Sequence, residues 1–524
     1  MATDPHAAVT AALRLTVDGR AVEVPDLGAS LLEVLRDQLG VRSPKDGCSP
    51  QGQCGCCTVL VDGAPRVACV TPARRVAGRS VSTLDGLEPV ERRAWAEAFC
   101  ATGASQCGFC TPGIIVRLSG LRTRSTVAAP ADHQAVERAL QAHLCRCTGW
   151  RTILDAWDAF GAGPAADRDL DAASQRAALE GGVAQRVGPD VALGEGGFGD
   201  DLAPVDALVA IQAPGGEWIV AESLNEARAA AGKVQGRRTT IDARPPLDVP
   251  AGDWAATLRT CWVEPAYLET DASWCLPGGE PASPLANGGA FGGKAASEVG
   301  VVARELADRH GRAVRVLLSR EDVVRRGPKR PPVAGGARVD GTGTIRVVRT
   351  PGIAAAIASM APGLLVHEVD VAGPPTSAAL RAAGWAEAAV LLAGAHGAAG
   401  PVRGPSGGVA EAEVSAGRIQ VRVACGDPLD EITLRSYCIG AAHMALSWVT
   451  SEGLAVDEEG VVHDLTIRSF GVLRAVDTPP IDVEIDPAPG APVNGSDAVF
   501  AAVAAAVWID QGCSQDWPTR GALR

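Results

Sequence analysis

The chain is poor in aromatic residues, at 4%, and so has little flat surface on which bases could stack. It also lacks an excess of positive charge: 48 Lys and Arg stand against 61 Asp and Glu, a formal charge of −13. A nucleic-acid partner needs a basic face to neutralise phosphates, so that class is excluded. Met1 to Val9 holds no basic stretch followed by an apolar run, and no export signal is visible. Long apolar runs are missing as well; those present are broken by Gly, Pro or charge before they could span a bilayer. The cysteines are not spaced like a secreted disulfide framework. These absences lead to the expectation of a soluble, cytoplasmic chain without a membrane span. What is present is a globular composition, 47% hydrophobic over 524 residues. That length allows about three domains, each with its own core.

Fifteen cysteines dominate what is there, ten of them before residue 148. In a reducing compartment, clustered cysteines read as metal ligands. The first group runs from Gly47-Cys48 through Gly52, Cys54-Gly55-Cys56-Cys57 to Cys69. Taking Cys48, Cys54, Cys57 and Cys69 gives C-x5-C-x2-C-x11-C, close to the loop of plant-type [2Fe–2S] ferredoxins. Each iron needs soft thiolate or sulfide ligands, and a short loop can wrap a cluster only where glycines permit tight turns. Gly47, Gly52 and Gly55 supply them. Cys56 is a fifth cysteine for four places and is taken as a bystander. Zinc is the alternative occupant, but zinc sites favour paired short spacings.

The flanks predict a β-grasp-like domain. Leu13–Val17 and Ala21–Val24 around Asp18-Gly19 read as a hairpin, as do Thr58–Val61 and Arg66–Val70 around Asp62-Gly63, with Cys69 on the return strand. Ser30 and Glu33 form a capping box that opens a helix with Leu31, Leu35 and Leu39 on one face, ending at Gly40.

The second group is Cys107 and Cys110, then Cys145 and Cys147, spaced C-x2-C-x34-C-x-C. Helices are predicted over Glu91–Ala101, Gly113–Leu121 (Thr111 as N-cap, Pro112 first), Asp132–His143 and Thr152–Phe160. Both cysteine pairs then lie at helix ends, where free N–H groups favour a negative cluster. Cys-x-Cys chelates a single zinc ion poorly. His143, beside these ligands, is expected to pack or hydrogen-bond locally.

Gln106-Cys-Gly-Phe-Cys-Thr-Pro-Gly113 and Cys145-Arg-Cys-Thr-Gly-Trp150 resemble the iron–sulfur part of the molybdenum hydroxylases, the family of xanthine dehydrogenase and aldehyde oxidase. The resemblance covers roughly residues 10–160. It implies that Cys48, Cys54, Cys57 and Cys69 hold one [2Fe–2S] cluster in a ferredoxin-like domain. Cys107, Cys110, Cys145 and Cys147 would hold a second in a helical domain facing the molybdopterin, with Gln106 hydrogen-bonded to the pterin. One departure is the five-residue spacer after Cys48, where the family usually has four.

Residues Gly161–Ala173 read as the start of a linker. An FAD domain follows here in many relatives. This chain has no room for one, so no FAD is expected in it and any flavin must sit on another subunit. From about Gly194 a weaker resemblance to the molybdenum-binding subunit appears. It includes Glu264-Pro-Ala-Tyr-Leu-Glu-Thr270, the glycine-rich loop Gly288–Lys294 and Arg320-Glu-Asp322. It continues with Lys329-Arg-Pro331, Leu465–Ile485 and Pro492–Trp508. Carried over, Gly289, Phe291 and Gly292 would contact the pterin, and Arg330 matches a substrate-pocket arginine of some relatives. The family's catalytic glutamate is replaced by Ser496, with Asp497 one position off; a serine has no accessible pKa for a general base. Ala295 stands where another glutamate is usual. No catalytic residue is therefore assigned. Ala295–His310 is expected as a helix, Val314–Leu318 as a buried strand and Ala498–Trp508 as a helix buried on all sides. Cys261, Cys275, Cys425, Cys438 and Cys513 are expected as buried thiols.

The expected fold is thus α+β and multidomain. Residues 1–85 form the ferredoxin-like domain, 86–160 the helical [2Fe–2S] domain, 161–193 a linker, and 194–524 a reduced copy of a molybdopterin-binding subunit. The expected role is an electron-transfer subunit of a multi-subunit molybdenum hydroxylase. Its partners would be a catalytic subunit that makes most of the molybdopterin contacts, and an FAD subunit or other acceptor. Two alternatives are a compact, self-contained hydroxylase and an assembly or cofactor-insertion partner.

Overall fold

The computed structural model describes residues 12–124, 131–163, 168–232, 239–283, 288–294 and 296–523. Met1–Val9 and Ala295 lie outside them. The fold is α+β, with four sheets and a helical part between the first sheet and the rest.

The first sheet is the predicted β-grasp. Its strands run in the order Arg20–Pro25, Ala12–Val17, Ser80–Ser82, Thr58–Val61, Ala64–Val67. The first pair is an antiparallel hairpin, and Ser80–Ser82 joins the two hairpins as a short central strand. The Ser30–Glu33 capping box forms as the sequence indicates, opening Leu31–Glu33, which runs on as a π turn over Val34–Gln38. Leu31, Leu32, Val34 and Leu35 bury themselves against the sheet. Cys69 is not on a return strand. That strand stops at Val67, and Cys69 sits in the 3-10 turn Ala68–Val70, which swings its sulfur toward the loop.

The helical part follows: Pro89–Thr102, Thr111–Arg122, His133–Ala139 and Arg151–Asp158. Thr111 is the first helical residue and Cys110 the cap, so the predicted cap is one residue late. The expected linker 161–193 needs correction. It contains the helix Leu170–Gly181, capped by Asp169 and ended by Gly182 at positive φ. This helix is seated because its Arg176 and Glu180 are buried polar anchors, with both side chains 0% exposed and 2.9 Å apart.

The C-terminal half holds three four-stranded sheets. One runs Trp218–Ala221, Leu208–Gln212, Val314–Leu317, Ala272–Cys275; the second runs Leu364–Val369, Gly343–Val348, Val333–Ala337, Ala256–Arg259. The third runs Val402–Arg403, Val409–Ser415, Arg418–Ala424, Ile481–Ile485. The predicted helix before Val314 begins at Val299. The core is built on two helices, Glu431–Thr450 and Ser496–Asp510, both apolar on nearly every side. Alanines on the second let its neighbours approach closely. Trp448 stacks on Phe500 at 5.2 Å and meets Trp517 edge-on at 4.7 Å.

Glu180 ties these parts together. Its carboxylate accepts from the backbone N–H of Gly495 at 3.1 Å and of Ser496 at 2.8 Å, at the start of the Ser496–Asp510 helix. Arg176 also donates to the carbonyls of Pro428, Val493 and Asp427. Removing one partner of such a pair strands a buried charge. Glu180→Ala should therefore destabilise the fold by about 3–5 kcal/mol, measured as a lower denaturant midpoint of the C-terminal transition.

Candidate metal and cofactor sites

The loop Gly47–Cys57 folds back under the first sheet with Gly52 and Gly55 at positive φ. Gly47 has no room for a side chain. A Cβ there would stand 3.2 Å from the sulfurs of Cys54 and Cys56 and from the Leu268 carbonyl oxygen. Cys48, Cys54, Cys57 and Cys69 are all buried. Their thiols meet in a chain: Cys48 contacts Cys54 and Cys69, and Cys69 contacts Cys57. Backbone N–H groups point at the sulfurs, from Gln51 to Cys48 at 3.2 Å and from Cys69 to Cys57 at 3.4 Å. Hydrogen bonding from the Cys54 thiol pushes Cys48 well down, while the same contact pushes Cys54 well up. Thiols packed this way share protons. Four thiolates together require a cation, and a [2Fe–2S] core supplies the iron for it.

The C-terminal half holds this loop from outside. Arg320 donates to the carbonyls of Gly47 and Leu268 at 2.6 and 2.7 Å. Gln51 bridges Glu321, the Leu465 carbonyl and the Ile467 N–H.

The second set forms between two helix starts. Cys107 and Cys110 lie in the turn before Thr111–Arg122, and Cys145 and Cys147 in the turn before Arg151–Asp158. The sulfurs of Cys147 and Cys107 are 3.7 Å apart. Cys145 contacts both Cys110 and Cys147, and its sulfur lies 3.1 Å from Thr148 Oγ1. Cys145 is pushed well down by the hydrogen-bonded Cys110 thiol, and Cys110 well up by the same contact. Both cysteine sets suit a four-thiolate cluster: all soft donors, backbone N–H groups nearby, and every sulfur buried but that of Cys107, which is partly exposed. Cys56 is fully buried and touches Cys54. His143 is buried and bonded locally, its Nε2 3.1 Å from Thr58 Oγ1 and 3.3 Å from the Gly113 oxygen. Burial pushes its imidazole down to about 3. Of the five remaining cysteines named from the sequence, Cys261, Cys275, Cys425 and Cys438 are buried, while Cys513 is partly exposed.

The expected pterin contacts are not brought together. Gln106 donates to the Cys147 carbonyl at 3.0 Å and to Ser436 Oγ at 2.9 Å. Gly440, one turn on from Ser436, lies so close that a Cβ would overlap the Cys147 carbonyl oxygen. Next to Ser436, Tyr437 packs edge-on against Phe291 at 6.2 Å. The helix Glu431–Thr450 therefore stands between Gln106 and the glycine-rich loop. Gly289 is buried in the 3-10 turn Gly288–Ala290. Gly292, at positive φ, is required because the Ala379 carbonyl crosses where a Cβ would be. Phe291 carries the Arg381 guanidinium 4.0 Å from its ring centroid. A cavity of about 290 Å³ does open beside the loop, lined by Glu180, Phe291, Gly292, Lys294, Arg381 and Asp497 among others. Gln106 does not line it. These residues do not fit a pterin held jointly by Gln106 and the loop.

The positions that the resemblance links to the reaction are paired internally. Ser496 is buried, and its hydroxyl accepts from Arg381 at 3.0 Å. Asp497 also pairs with Arg381, at 3.0 Å, and burial pushes its carboxyl up. Arg330 forks onto Glu387 at 2.7 and 2.9 Å and lies 4.0 Å over the Trp448 ring. The cavity beside it is about 30 Å³, room for little more than one water. Arg330 is thus a structural cation and not a free substrate clamp. Sequence reasoning missed Glu180, Ser436 and Tyr437. Each acts across more than a hundred residues, and no local pattern marks them.

The two cysteine sets make a direct prediction. Cys57→Ala should lose about half of the bound iron and acid-labile sulfide, because it removes a ligand. Cys56→Ala should keep all of both, measured by iron and sulfide analysis of anaerobically purified protein.

A [2Fe-2S] binding domain model matches residues 83–158. The chain is 35% identical over 148 residues to the xanthine dehydrogenase iron-sulfur-binding subunit of Escherichia coli O157:H7, covering 28% of this chain and 91% of that one. It is 43% identical over 135 residues to an aldehyde oxidoreductase of Megalodesulfovibrio gigas, a match that spans 25% of this chain and only 14% of that protein. The solved aldehyde oxidoreductase of Desulfovibrio gigas superposes with a TM-score of 0.68 at 14% identity, covering 95% of this chain and 97% of the other. At that identity the superposition establishes a shared fold across both halves. Together with the iron–sulfur subunit match, these findings place the chain in the molybdenum hydroxylase family of oxidoreductases, that of xanthine dehydrogenase and aldehyde oxidase.

Proposed function

We propose that this chain is the electron-transfer subunit of a multi-subunit molybdenum hydroxylase. It relays electrons from a molybdopterin centre on a partner catalytic subunit to a flavoprotein or other acceptor. The observation that carries the proposal is a contrast within one chain. Two complete sets of four cysteines, seven of the eight buried and Cys107 partly exposed, stand beside a C-terminal half in which the Glu431–Thr450 helix meets Gln106 on one side and Phe291 on the other, and in which Ser496 stands where the resemblance implies a glutamate.

Each cluster, when bound, supplies a one-electron couple. The chain's own residues do the rest. Cys48, Cys54, Cys57 and Cys69 hold one cluster; Cys107, Cys110, Cys145 and Cys147 hold the other. Backbone donors such as Gln51 and Cys69 N–H stabilise charge on the sulfurs and so raise the potential. Burial keeps water and oxygen away from all the sulfurs but that of Cys107, which is partly exposed. The C-terminal half holds the first loop through Arg320, Gln51 and Arg468, the last donating to the Gln53 and Gln141 carbonyls. It acts as a scaffold. The domain limits 1–85, 86–160 and 194–524 remain the working division, with the helix Leu170–Gly181 belonging to the scaffold.

Among the described residues, no helix is long and apolar enough to cross a membrane. We place the chain in the cytoplasm, where reducing conditions keep cysteines available to iron.

Native purification under anaerobic conditions tests the proposal. The chain should co-purify with a larger molybdenum-containing subunit and carry about four iron atoms and four sulfides of its own. Dissociated from its partner, it should retain iron without molybdenum or pterin. Stoichiometric molybdenum in the isolated chain would instead establish the self-contained hydroxylase. A mature complex lacking the chain would establish the assembly role.

A further inference from the structure

The His143 imidazole is wedged between the two cysteine sets. His143 Nε2 faces two oxygens, Thr58 Oγ1 at 3.1 Å and the Gly113 carbonyl at 3.3 Å. The Gly113 carbonyl can only accept. The Thr58 hydroxyl donates to the Gly55 carbonyl at 2.7 Å, so it accepts from the ring. Both contacts therefore require the proton on Nε2. Nδ1 is left buried and without a partner, which a residue chosen only for packing would avoid.

The contacts around this ring join the two halves of the iron–sulfur region. Thr58 follows Cys57 of the first set, and Gly113 lies just past Cys110 of the second. The ring rests on Gly55, where a Cβ would stand 2.5 Å from His143 Cδ2. Gly113 permits equally close approach from the other side, where a Cβ would stand 2.8 Å from the Cys56 carbonyl oxygen. One residue after His143, the Leu144 N–H donates to the Cys54 carbonyl at 3.0 Å. Cys54 is a ligand of one set, and Leu144 is covalently joined to Cys145 of the other. A run of covalent bonds interrupted by one short hydrogen bond thus connects sulfur to sulfur.

We propose that His143 is a positioning residue for electron transfer between the clusters, holding the Cys54–Leu144 hydrogen bond in place by donating to Thr58 and Gly113 at once. The inference rests on the relay reading above. The step itself moves one electron from the Cys107/Cys110/Cys145/Cys147 site, which is oxidised, to the Cys48/Cys54/Cys57/Cys69 site, which is reduced. No proton moves and no bond forms or breaks.

The test uses the full chain, purified anaerobically. His143→Leu removes the donor and keeps the bulk. Thr58→Val removes one acceptor and keeps the shape. His143→Gln keeps an N–H at the reach of Nε2. Three readouts are taken: iron and acid-labile sulfide, the spin–spin splitting between the clusters in the electron paramagnetic resonance spectrum of fully reduced protein, and the rate of electron redistribution after a reductant pulse. The expected result is full iron and sulfide in every variant. Redistribution should slow by about 10-fold or more in His143→Leu, with weaker splitting. Thr58→Val should shift both readouts in the same direction, and His143→Gln should restore both. Unchanged splitting and rate in His143→Leu with both clusters present would overturn the proposal. Loss of a cluster in both His143→Leu and Thr58→Val would overturn it too, since the contact would then serve assembly. If the unmodified chain holds fewer than two clusters, the relay reading itself fails and this inference goes with it.

Discussion

Eight cysteine thiols gathered in two groups, seven of them buried and Cys107 partly exposed, are the constraint from which the rest of the molecule follows. A single buried thiolate is costly, and several side by side cannot remain ionised without a compensating cation. The N-terminal region therefore makes sense only with metal in place, and its construction reflects that. The sulfurs are supplied by turns and helix starts, where backbone N–H groups have no helical partner and can face negative charge. Cys69 illustrates the point. Its strand ends early so that a 3-10 turn can bring the sulfur to Cys48 and Cys57. The glycines obey the same requirement, since Gly47 and Gly55 stand where any side chain would collide with a sulfur or with the ring between the sites.

The C-terminal half obeys a different constraint, the need to fill space. In the family, the resemblance places a cofactor between Gln106 and the glycine-rich loop. Here the Glu431–Thr450 helix touches both sides, with Gly440 against the second cysteine set and Tyr437 against Phe291. Charges that would otherwise await a ligand are cancelled internally. Arg330 is neutralised by Glu387, and Arg381 by Asp497. Glu180, brought in from a distant helix, occupies the N–H groups at the start of the Ser496–Asp510 helix. A helix N-terminus attracts an anion, and here the protein provides its own. Such internal pairing suits a scaffold and works against ligand entry.

Much of the N-terminal region was legible in the sequence because the signals there are local. The hairpins, the Ser30–Glu33 capping box and the two cysteine spacings depend on residues within a few positions of each other. Errors in that region are matters of a few residues at element ends, as with Thr111 and Cys69. The segment 161–193 was misread because its composition is polar and alanine-rich. Asp169 and Gly182 are ordinary helix end signals, but nothing nearby shows that Arg176 and Glu180 are buried. In the C-terminal half the elements were readable and their placement was not. Glu431–Thr450 carries apolar residues all around, and only tertiary packing shows that it lies against Gln106.

The internal arrangement also discriminates among the possible roles. A self-contained hydroxylase needs an open space between the second cysteine set and a base able to take a proton. In this chain the Glu431–Thr450 helix packs directly on Gln106 and the Ser496 hydroxyl is bound to Arg381. A transient assembly partner needs a recognition surface but has no use for two cysteine sets joined through the Leu144 to Cys54 hydrogen bond. Electron relay uses both features at once. The cysteine sets meet through Cys54 and Leu144, and the sealed C-terminal half holds that junction rigid from one side through Gln51, Arg320 and Arg468. Rigidity matters because electron transfer between fixed sites depends on their separation more than on any side-chain chemistry. On the proposed relay reading, Ser496 at the glutamate position and the retained framework around it belong to one function.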